Sequence, residues 1–396
     1  MTPAAHVQAA IGILDAVIAA ASGQGAPADR IVAEWARANR YAGSKDRKAV
    51  RELVYAAIRA CGPVPASGRA AMLRLASDFP DMRALFDGAG YGPAPIGPDE
   101  EPAAPGVAPG WLEERLAASA ITGNAARALL DRAPLDLRVN TLKADPATLA
   151  LPQPAAPLPV AGALRLPPGT PVEGWEAYKD GLVEVQDAGS QLACQAVQAA
   201  PGETVIDLCA GAGGKTLALA AAMQNAGTLV AADSDRRRLG QLAPRAERAG
   251  AQIAHTVLLN PGRELEALAD WTGAGPNGAD AVLVDAPCSG TGTWRRNPEA
   301  RWRLTPRELD KLTALQAHLL GVAAQLVKPG GRLVYVTCSL LDEEGAGQVD
   351  RFLAANPGFA ADPLALPLGE ARGAGWRLHP ALSGTDGFFI ARLCCA

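Results

Sequence analysis

Two thiols stand where a thiol is chemically useful. The apolar run Ala281-Val282-Leu283-Val284 ends in Asp285-Ala286-Pro287-Cys288-Ser289-Gly290-Thr291-Gly292, and Leu333-Val334-Tyr335-Val336 ends in Thr337-Cys338-Ser339-Leu340. Both runs read as buried strands, and in an open α/β sheet the carboxyl ends of the strands face the ligand crevice. Consecutive strands are often neighbours, so both thiols can face one substrate. A cysteine there can act as a nucleophile if its surroundings favour the thiolate. A lone buried cysteine is more often a small hydrophobe. Two of them, each directly behind a strand and one behind Asp-Ala-Pro, favour chemistry over packing.

A second constellation lies upstream. Val205-Ile206-Asp207-Leu208 runs into Cys209-Ala210-Gly211-Ala212-Gly213-Gly214-Lys215-Thr216 and then into an Ala/Leu-rich helix. A glycine-rich turn between a strand and its helix lets backbone approach a cofactor closely. A Walker A loop would need glycine at position 209, where cysteine stands, and a dinucleotide loop starting at Gly211 would need glycine at 216, where threonine stands. The remaining reading is a nucleoside-sulfonium site with no pyrophosphate to seat, although a glycine loop with a spaced aspartate does not by itself separate S-adenosylmethionine from NAD. Asp233 ends the next strand about twenty residues beyond Gly213, where a carboxylate accepts hydrogen bonds from both ribose hydroxyls; the bland alternative is a helix cap.

Thiol, sulfonium cofactor and Asp285 together suit one reaction. Carbon 5 of cytosine is too weak a nucleophile to take a methyl group unaided. A thiolate adding to carbon 6 turns the ring into an enamine, after which the carbon 5 proton must leave and the thiolate be expelled. Asp285 can hydrogen-bond the ring nitrogen and exocyclic amine as charge develops. The residues by themselves do not say which thiol attacks. Two rivals are an NAD-dependent oxidoreductase, disfavoured by Thr216, and an RNA-binding assembly factor without chemistry, disfavoured by the joint presence of Cys288, Cys338, Asp285 and Lys215.

The elements that must position these groups can be read from period and punctuation. Strand-like runs at Thr204–Leu208, Thr228–Asp233, Ala281–Asp285 and Arg332–Thr337 alternate with helical stretches, which indicates a doubly wound α/β domain. Phe388–Leu393 reads as a further strand, antiparallel at the sheet edge. Leu135, Leu137 and Val139 alternate as in a short strand, and the proline-rich 152–171 implies loops between short strands. Residues 7–59 are helical in period, with Ser44 as N-cap of a helix that Gly62, Pro63 and Pro65 stop. The chain of 396 residues thus divides into a helical domain (1–86), a Pro/Gly-rich linker (87–110), an α+β subdomain (111–200) and the α/β domain (201–396).

Composition excludes several classes. Seven scattered cysteines without a CxxC pair, and four histidines, give neither a disulfide framework nor a zinc site, so no metal is expected. No run approaches about eighteen apolar residues without a breaker, and the start lacks a secretory pattern, so a cytosolic protein without a membrane span is expected. The net charge of −4 speaks against a generally basic coat. Two basic clusters nevertheless stand out: Arg37, Arg40, Lys45, Arg47, Lys48, Arg51 and Arg59, and Arg295, Arg296, Arg301, Arg303 and Arg307. Both are expected to contact phosphates.

The order and spacing of these motifs resemble the Sun (RsmB-like) family of RNA cytosine-5 methyltransferases. The resemblance rests on Asp207–Thr216, Asp285–Gly292 and Thr337–Ser339, with Leu137-Arg138-Val139-Asn140, Val185–Gln191, Arg296-Asn297-Pro298-Glu299 and Asp386-Gly387-Phe388-Phe389. It runs from about Trp111 to the C-terminus. It implies a Rossmann-like methyltransferase domain preceded by a small α+β RNA-binding subdomain, S-adenosylmethionine as cofactor, and RNA as substrate, ribosomal first and transfer RNA as the alternative, for a monomer. It further implies Cys338 as nucleophile and Cys288 as the thiol that assists release, whereas the Pro-Cys motif alone would also suit DNA methyltransferases. Cys209, Ala210, Gly211, Ala212, Gly213, Gly214 and Lys215, with Asp233 and Asp285, would contact the cofactor or the base. Two departures stand out: Ala212 replaces the proline of the usual loop, and Asn260 stands where the third motif usually offers a carboxylate. The N-terminal helices resemble a NusB-like RNA-binding domain through Ser44-Lys45-Asp46-Arg47-Lys48 and Arg51–Tyr55.

Overall fold

A computed structural model describes residues 1–23, 25–269 and 278–396, which form two compact units. One comprises Met1–Asp131 and Thr293–Thr305, the other Arg132–Gly292 and Pro306–Ala396.

In the first unit the helical period becomes α1 (Pro3–Ala21), α2 (Ala28–Ala38), α3 (Ser44–Ala60) and α4 (Gly68–Asp78). Thr2 Oγ1 starts α1 by accepting from Ala5 N at 3.2 Å. Ser44, expected as the cap of α3, is instead its first residue, and Gly43 precedes it with its N–H on Asp46 Oδ2 at 3.0 Å. The apolar face of α1 (Val7, Ala10, Ile11, Leu14, Val17) packs in one core with Val50, Val54 and Ile58 of α3 and Met72 and Leu75 of α4. Although His6, Gln8 and Asp15 interrupt it, α1 reaches a mean hydropathy of 1.6 and is long and apolar enough by composition to cross a membrane, while 44% of that window is buried in the helical unit. The helices approach closely at Gly68, where a Cβ would stand 2.2 Å from Ile11 O. The stretch 87–110 runs along α4, with Arg69 paired to Glu100 and Ala103 N bonded to Ala70 O at 3.0 Å.

The second basic cluster does not form a phosphate-contacting surface. Arg301 is fully buried and donates to Ile58 O and Cys61 O, each at 2.6 Å, at the end of α3. Arg303 donates to Ala20 O in the last turn of α1 and to Gly25 O and Ala26 O beyond it. Arg295 is buried as well, and of the five only Arg307 is exposed. The last carbonyls of a helix have no partner within it and carry the negative end of its dipole, so a guanidinium fork suits them as well as it suits a phosphate. Trp302 joins the helical core, and Glu299 Oε1 accepts from Ala28 N (3.0 Å) at the opposite, positive end of α2. Residues 293–305 are thus an internal part of the helical unit.

The second unit contains two sheets. Strands β1 (Leu135–Val139), β2 (Ala156–Pro157), β3 (Ala163–Leu166) and β4 (Val183–Val185) form an antiparallel sheet in the order β2-β3-β1-β4. The larger sheet has, among the described residues, β5 (Thr204–Asp207), β6 (Thr228–Asp233), β7 (His255–Leu258), β8 (Ala279–Asp285), β9 (Val327–Thr337), β10 (Phe359–Asp362), β11 (Glu370–Arg372), β12 (Gly375–Leu378) and β13 (Phe388–Cys395). Its order is β11-β12-β13-β9-β8-β5-β6-β7, with β10 on β13. Strands β5 to β9 are parallel, so the doubly wound expectation holds and the strand order reverses between β5 and β8. β13 is antiparallel as expected but internal, because the hairpin β11–β12 covers it. β7 escaped the sequence reading because it is short and half-exposed.

Candidate active site

Parallel pairing places Asp207, Asp285 and Thr337 on one rim: Asp207 stands opposite Leu283, and Asp285 opposite Val336. Everything the sequence singled out for chemistry leaves the sheet at this rim, Asn260 included: it lies two residues past the end of β7, where Leu258 stands opposite Asp233.

The loop after β5 turns through two left-handed glycines, Gly211 (φ 56°) and Gly213 (φ 87°), before the helix Gly214–Ala222. Side chains are excluded there twice over. A Cβ on Gly211 would meet the Arg238 guanidinium at 2.4 Å, and one on Gly213 would meet Leu242 at 2.1 Å. Although Ala212 lacks a proline ring, the turn is tied down by Gly213 N on Ala210 O (2.9 Å) and by Arg245 Nη1 on Ala212 O (2.7 Å). Arg245 is held in turn by the buried Glu184.

Asp233 is buried at the end of β6. Its Oδ2 accepts from Gly211 N and its Oδ1 from Asp235 N, each at 2.7 Å. It therefore shapes the loop and retains lone pairs for a ligand, since a carboxylate offers about four. The capping role falls to Asp235, which receives Arg237 N and Arg238 N. Asn260 is exposed, and its carbonyl accepts from Arg263 N at 2.9 Å.

Lys215 reaches back from the helix to Asp285 Oδ2 (2.7 Å) and lies 5.7 Å from the centre of the Phe388 ring. Burial alone would lower its pKa, but the adjacent Asp285 outweighs burial and holds it above the usual lysine range. Phe388 is brought there by the Asp386-Gly387 turn, which meets the turn after Cys288 in a glycine-on-glycine contact: Gly387 N donates to Gly292 O at 2.8 Å, and a Cβ on Gly292 would stand 2.2 Å from Gly387 O.

Cys288 and Cys338 are brought together, Sγ to Sγ at 3.3 Å. Cys288 is raised well above an ordinary thiol, first by its hydrogen bond to Cys338 and then by burial. Cys209 is also raised, by burial and the surrounding carboxylates, and stands as an inert thiol under the loop. Such a rim can bind a nucleoside cofactor over the glycines and present a thiol and a paired carboxylate to a planar ring.

Sequence reasoning passed over three groups. Asp207 is fully buried, accepts from Thr216 Oγ1 at 2.7 Å, and has its other oxygen without a partner among the described residues; a carboxylate ending an apolar strand was the available signal. Arg245 and Glu344 had none, because their partners are remote in the chain.

Residues 194–394 match the family model of 16S rRNA methyltransferase RsmB/F. Ribosomal RNA small subunit methyltransferase B of Xanthomonas campestris is 36% identical over 296 residues, covering 72% of this chain and 66% of that protein. The protein of the same name from Thermus thermophilus is 40% identical over 236 residues, 58% of this chain and 55% of its own. The chain therefore spans less than two thirds of the length of these relatives. Among solved structures, a methyltransferase homologue from Pyrococcus horikoshii superposes with a TM-score of 0.59 at 28% identity, covering 69% of this chain and 90% of that one. NSun6 from the same organism, solved with SFG, gives 0.51 at 26% identity over 59% of this chain and 58% of its own. Family match and Rossmann-like neighbours agree with the geometry of the rim: the chain belongs to the RsmB/F family of 16S rRNA methyltransferases.

Proposed function

We propose that this protein methylates carbon 5 of a cytosine in 16S ribosomal RNA, with Cys338 as nucleophile. The observation that carries this reading is the pair of thiols 3.3 Å apart on neighbouring strand ends, beside the Lys215–Asp285 pair. S-adenosylmethionine would supply an electrophilic methyl group. The cradle fits it: two left-handed glycines make the tight strand-to-helix turn, Asp233 keeps lone pairs for the ribose, and Asp207 has a buried oxygen beneath with no partner among the described residues. The segment Cys209–Lys215 would hold the cofactor with Asp233, Asp285 and Asn260, and the SFG-bound NSun6 supports a cofactor of this class.

In this reading the Cys338 thiolate adds to carbon 6 and makes carbon 5 nucleophilic. Asp285, fixed by Lys215, accepts hydrogen bonds from the base edge and so orients the ring. Phe388 walls off the Lys215 side. Once carbon 5 has taken the methyl group, its proton leaves to solvent and the freed electron pair expels Cys338 as thiolate, a release that Cys288 assists. The helices of 1–86 and the subdomain 111–200 would bind RNA, and 201–396 would carry out the transfer, in a cytosolic monomer that needs no metal.

Single thiol replacements test the proposal, because the two roles fail in opposite ways. Cys338→Ala should abolish methylation while cofactor still binds. Cys288→Ala should accumulate a covalent protein–RNA complex, seen as a slow band on a denaturing gel that nuclease removes. The reverse pattern would swap the roles. Methylation intact in both variants, with no adduct, would refute covalent catalysis.

A further inference from the structure

A buried polar cluster under the two thiols takes no part in the chemistry above. Glu344 is fully buried, and among the described residues its carboxylate receives only neutral donors: Ser289 N (2.8 Å) and Gln316 Nε2 (2.9 Å) on Oε1, and the Ser289 hydroxyl on Oε2. Gln316, also buried, donates in addition to Pro287 O at 2.9 Å. The turn Pro287-Cys288-Ser289 is therefore gripped on both sides of its thiol by one carboxylate and one amide. The Ser289 hydroxyl also meets Ser339 Oγ at 3.2 Å, which ties the same grip to the residue after Cys338.

Burying an anion among neutral donors is costly, so its field acts strongly on whatever stands nearest. Two ionisable groups feel it: Tyr335, whose hydroxyl donates to Glu344 O at 2.7 Å, and Cys288 in the clamped turn. The Cys288 thiolate is opposed by the bond to Cys338, by burial, and by the charges of Cys338 and Glu344. Among the described residues, other charged or titratable groups around the pair are Cys209 of the loop after β5, Lys215 of the helix Gly214–Ala222, Asp285 of β8, Tyr335 of β9 and Arg351 of the helix Ala346–Ala355.

Resting on the assignment of the two thiols above, we propose that Glu344 is a positioning residue that decides which thiol ionises: it clamps the Pro287–Ser289 turn and keeps the proton on Cys288, leaving Cys338 as the thiolate that Cys288 hydrogen-bonds. Both cysteines stand at the carboxyl ends of neighbouring parallel strands, Cys288 three residues beyond β8 and Cys338 directly behind β9. An asymmetric charge is what separates an attacking thiol from its assistant.

Alkylation of the full chain by iodoacetamide between about pH 6 and 10, read for each cysteine by peptide mass spectrometry, tests this. In the wild type Cys338 should react at lower pH than Cys288. Glu344→Gln should move the Cys288 profile to lower pH, each unit being about tenfold in rate at neutral pH, and move that of Cys338 less. Glu344→Asp, which keeps the charge, should restore the high Cys288 profile. An unchanged Cys288 profile in folded Glu344→Gln would overturn the proposal. So would Cys288 ionising first in the wild type, a result that needs no variant and holds even if the glutamine protein fails to fold. The thiol profiles stand apart from RNA methylation: absence of 5-methylcytosine product from the wild type would count against the proposed reaction, not against the clamp.

Discussion

Asp207 shows how one residue ties stability to pH at this rim. Burial raises its carboxyl from 3.8 to about 7; the Thr216 hydroxyl and Lys215 oppose the rise, and Asp285 and Asp233 add to it. A carboxyl whose folded pKa exceeds its unfolded one favours the folded state while protonated. That contribution is complete below about pH 4 and is lost as pH climbs towards 7. Asp207→Asn keeps an acceptor for Thr216 and cannot ionise. The variant should therefore melt higher than the wild type at about pH 8, by a stability difference of up to about 4 kcal/mol, and the gap should close towards pH 4. Melts recorded across that range check it; a gap that stays constant with pH would mean that Asp207 does not titrate there. Asp207 was legible as a strand-ending carboxylate, but its burial was not, since that depends on the helix and strands packed around it.

At the scale of elements, the site is an arrangement of turns at strand ends. β5, β8 and β9 carry buried apolar runs, and their positions follow from the residues themselves. How the turns beyond them are held is decided by contacts between segments. Gly292 and Gly387 lie in different motifs, and their backbones touch because neither has a side chain. Gly292→Ala should push the turn after Cys288 off the turn that carries Phe388. Overpacking of this kind costs about 1–3 kcal/mol, and the displacement should reduce formation of the covalent RNA complex in a Cys288→Ala background more than it lowers the melting temperature. A yield and melting temperature both equal to those of the parent would show that the turns can part without consequence. The internal place of β13 belongs to the same level: its sequence specifies a strand, but only the hairpin β11–β12 removes it from the edge.

For the molecule as a whole, charge has two different uses that look identical in sequence. Arg37, Arg40, Lys45, Arg47, Lys48 and Arg51 are exposed on the helical unit beside the exposed Tyr41, as a phosphate-binding face requires. Arg59 is half-buried over the Tyr55 ring and donates to Arg295 O. Neutralising Arg40, Lys45 and Lys48 should lower the log–log salt slope of RNA binding by about 0.7–0.9 for each phosphate no longer neutralised, with little change in melting temperature. Arg301→Ala should do the opposite, leaving the salt slope intact and costing about 1–3 kcal/mol for each carbonyl left bare. Anisotropy titrations at several salt concentrations together with thermal melts separate the two; equal salt slopes for wild type and triple variant would make the first cluster a solvated face as well.

The sequence by itself determined the local features. Runs of apolar residues made the strands, glycine spacing made the cofactor turn, and the alternation of strands with helices made a doubly wound sheet whose carboxyl ends gather the motifs. These signals are short-range, carried by residues within a few positions of one another. Tertiary structure alone decided which polar groups meet. Ser289 and Glu344 are 55 positions apart, and Arg301 and Ile58 are 243. A guanidinium carries the same charge and the same donors whether it meets a phosphate or the end of a helix. Its partner is fixed only when the chain has folded and brought the bare carbonyls of α3 to it.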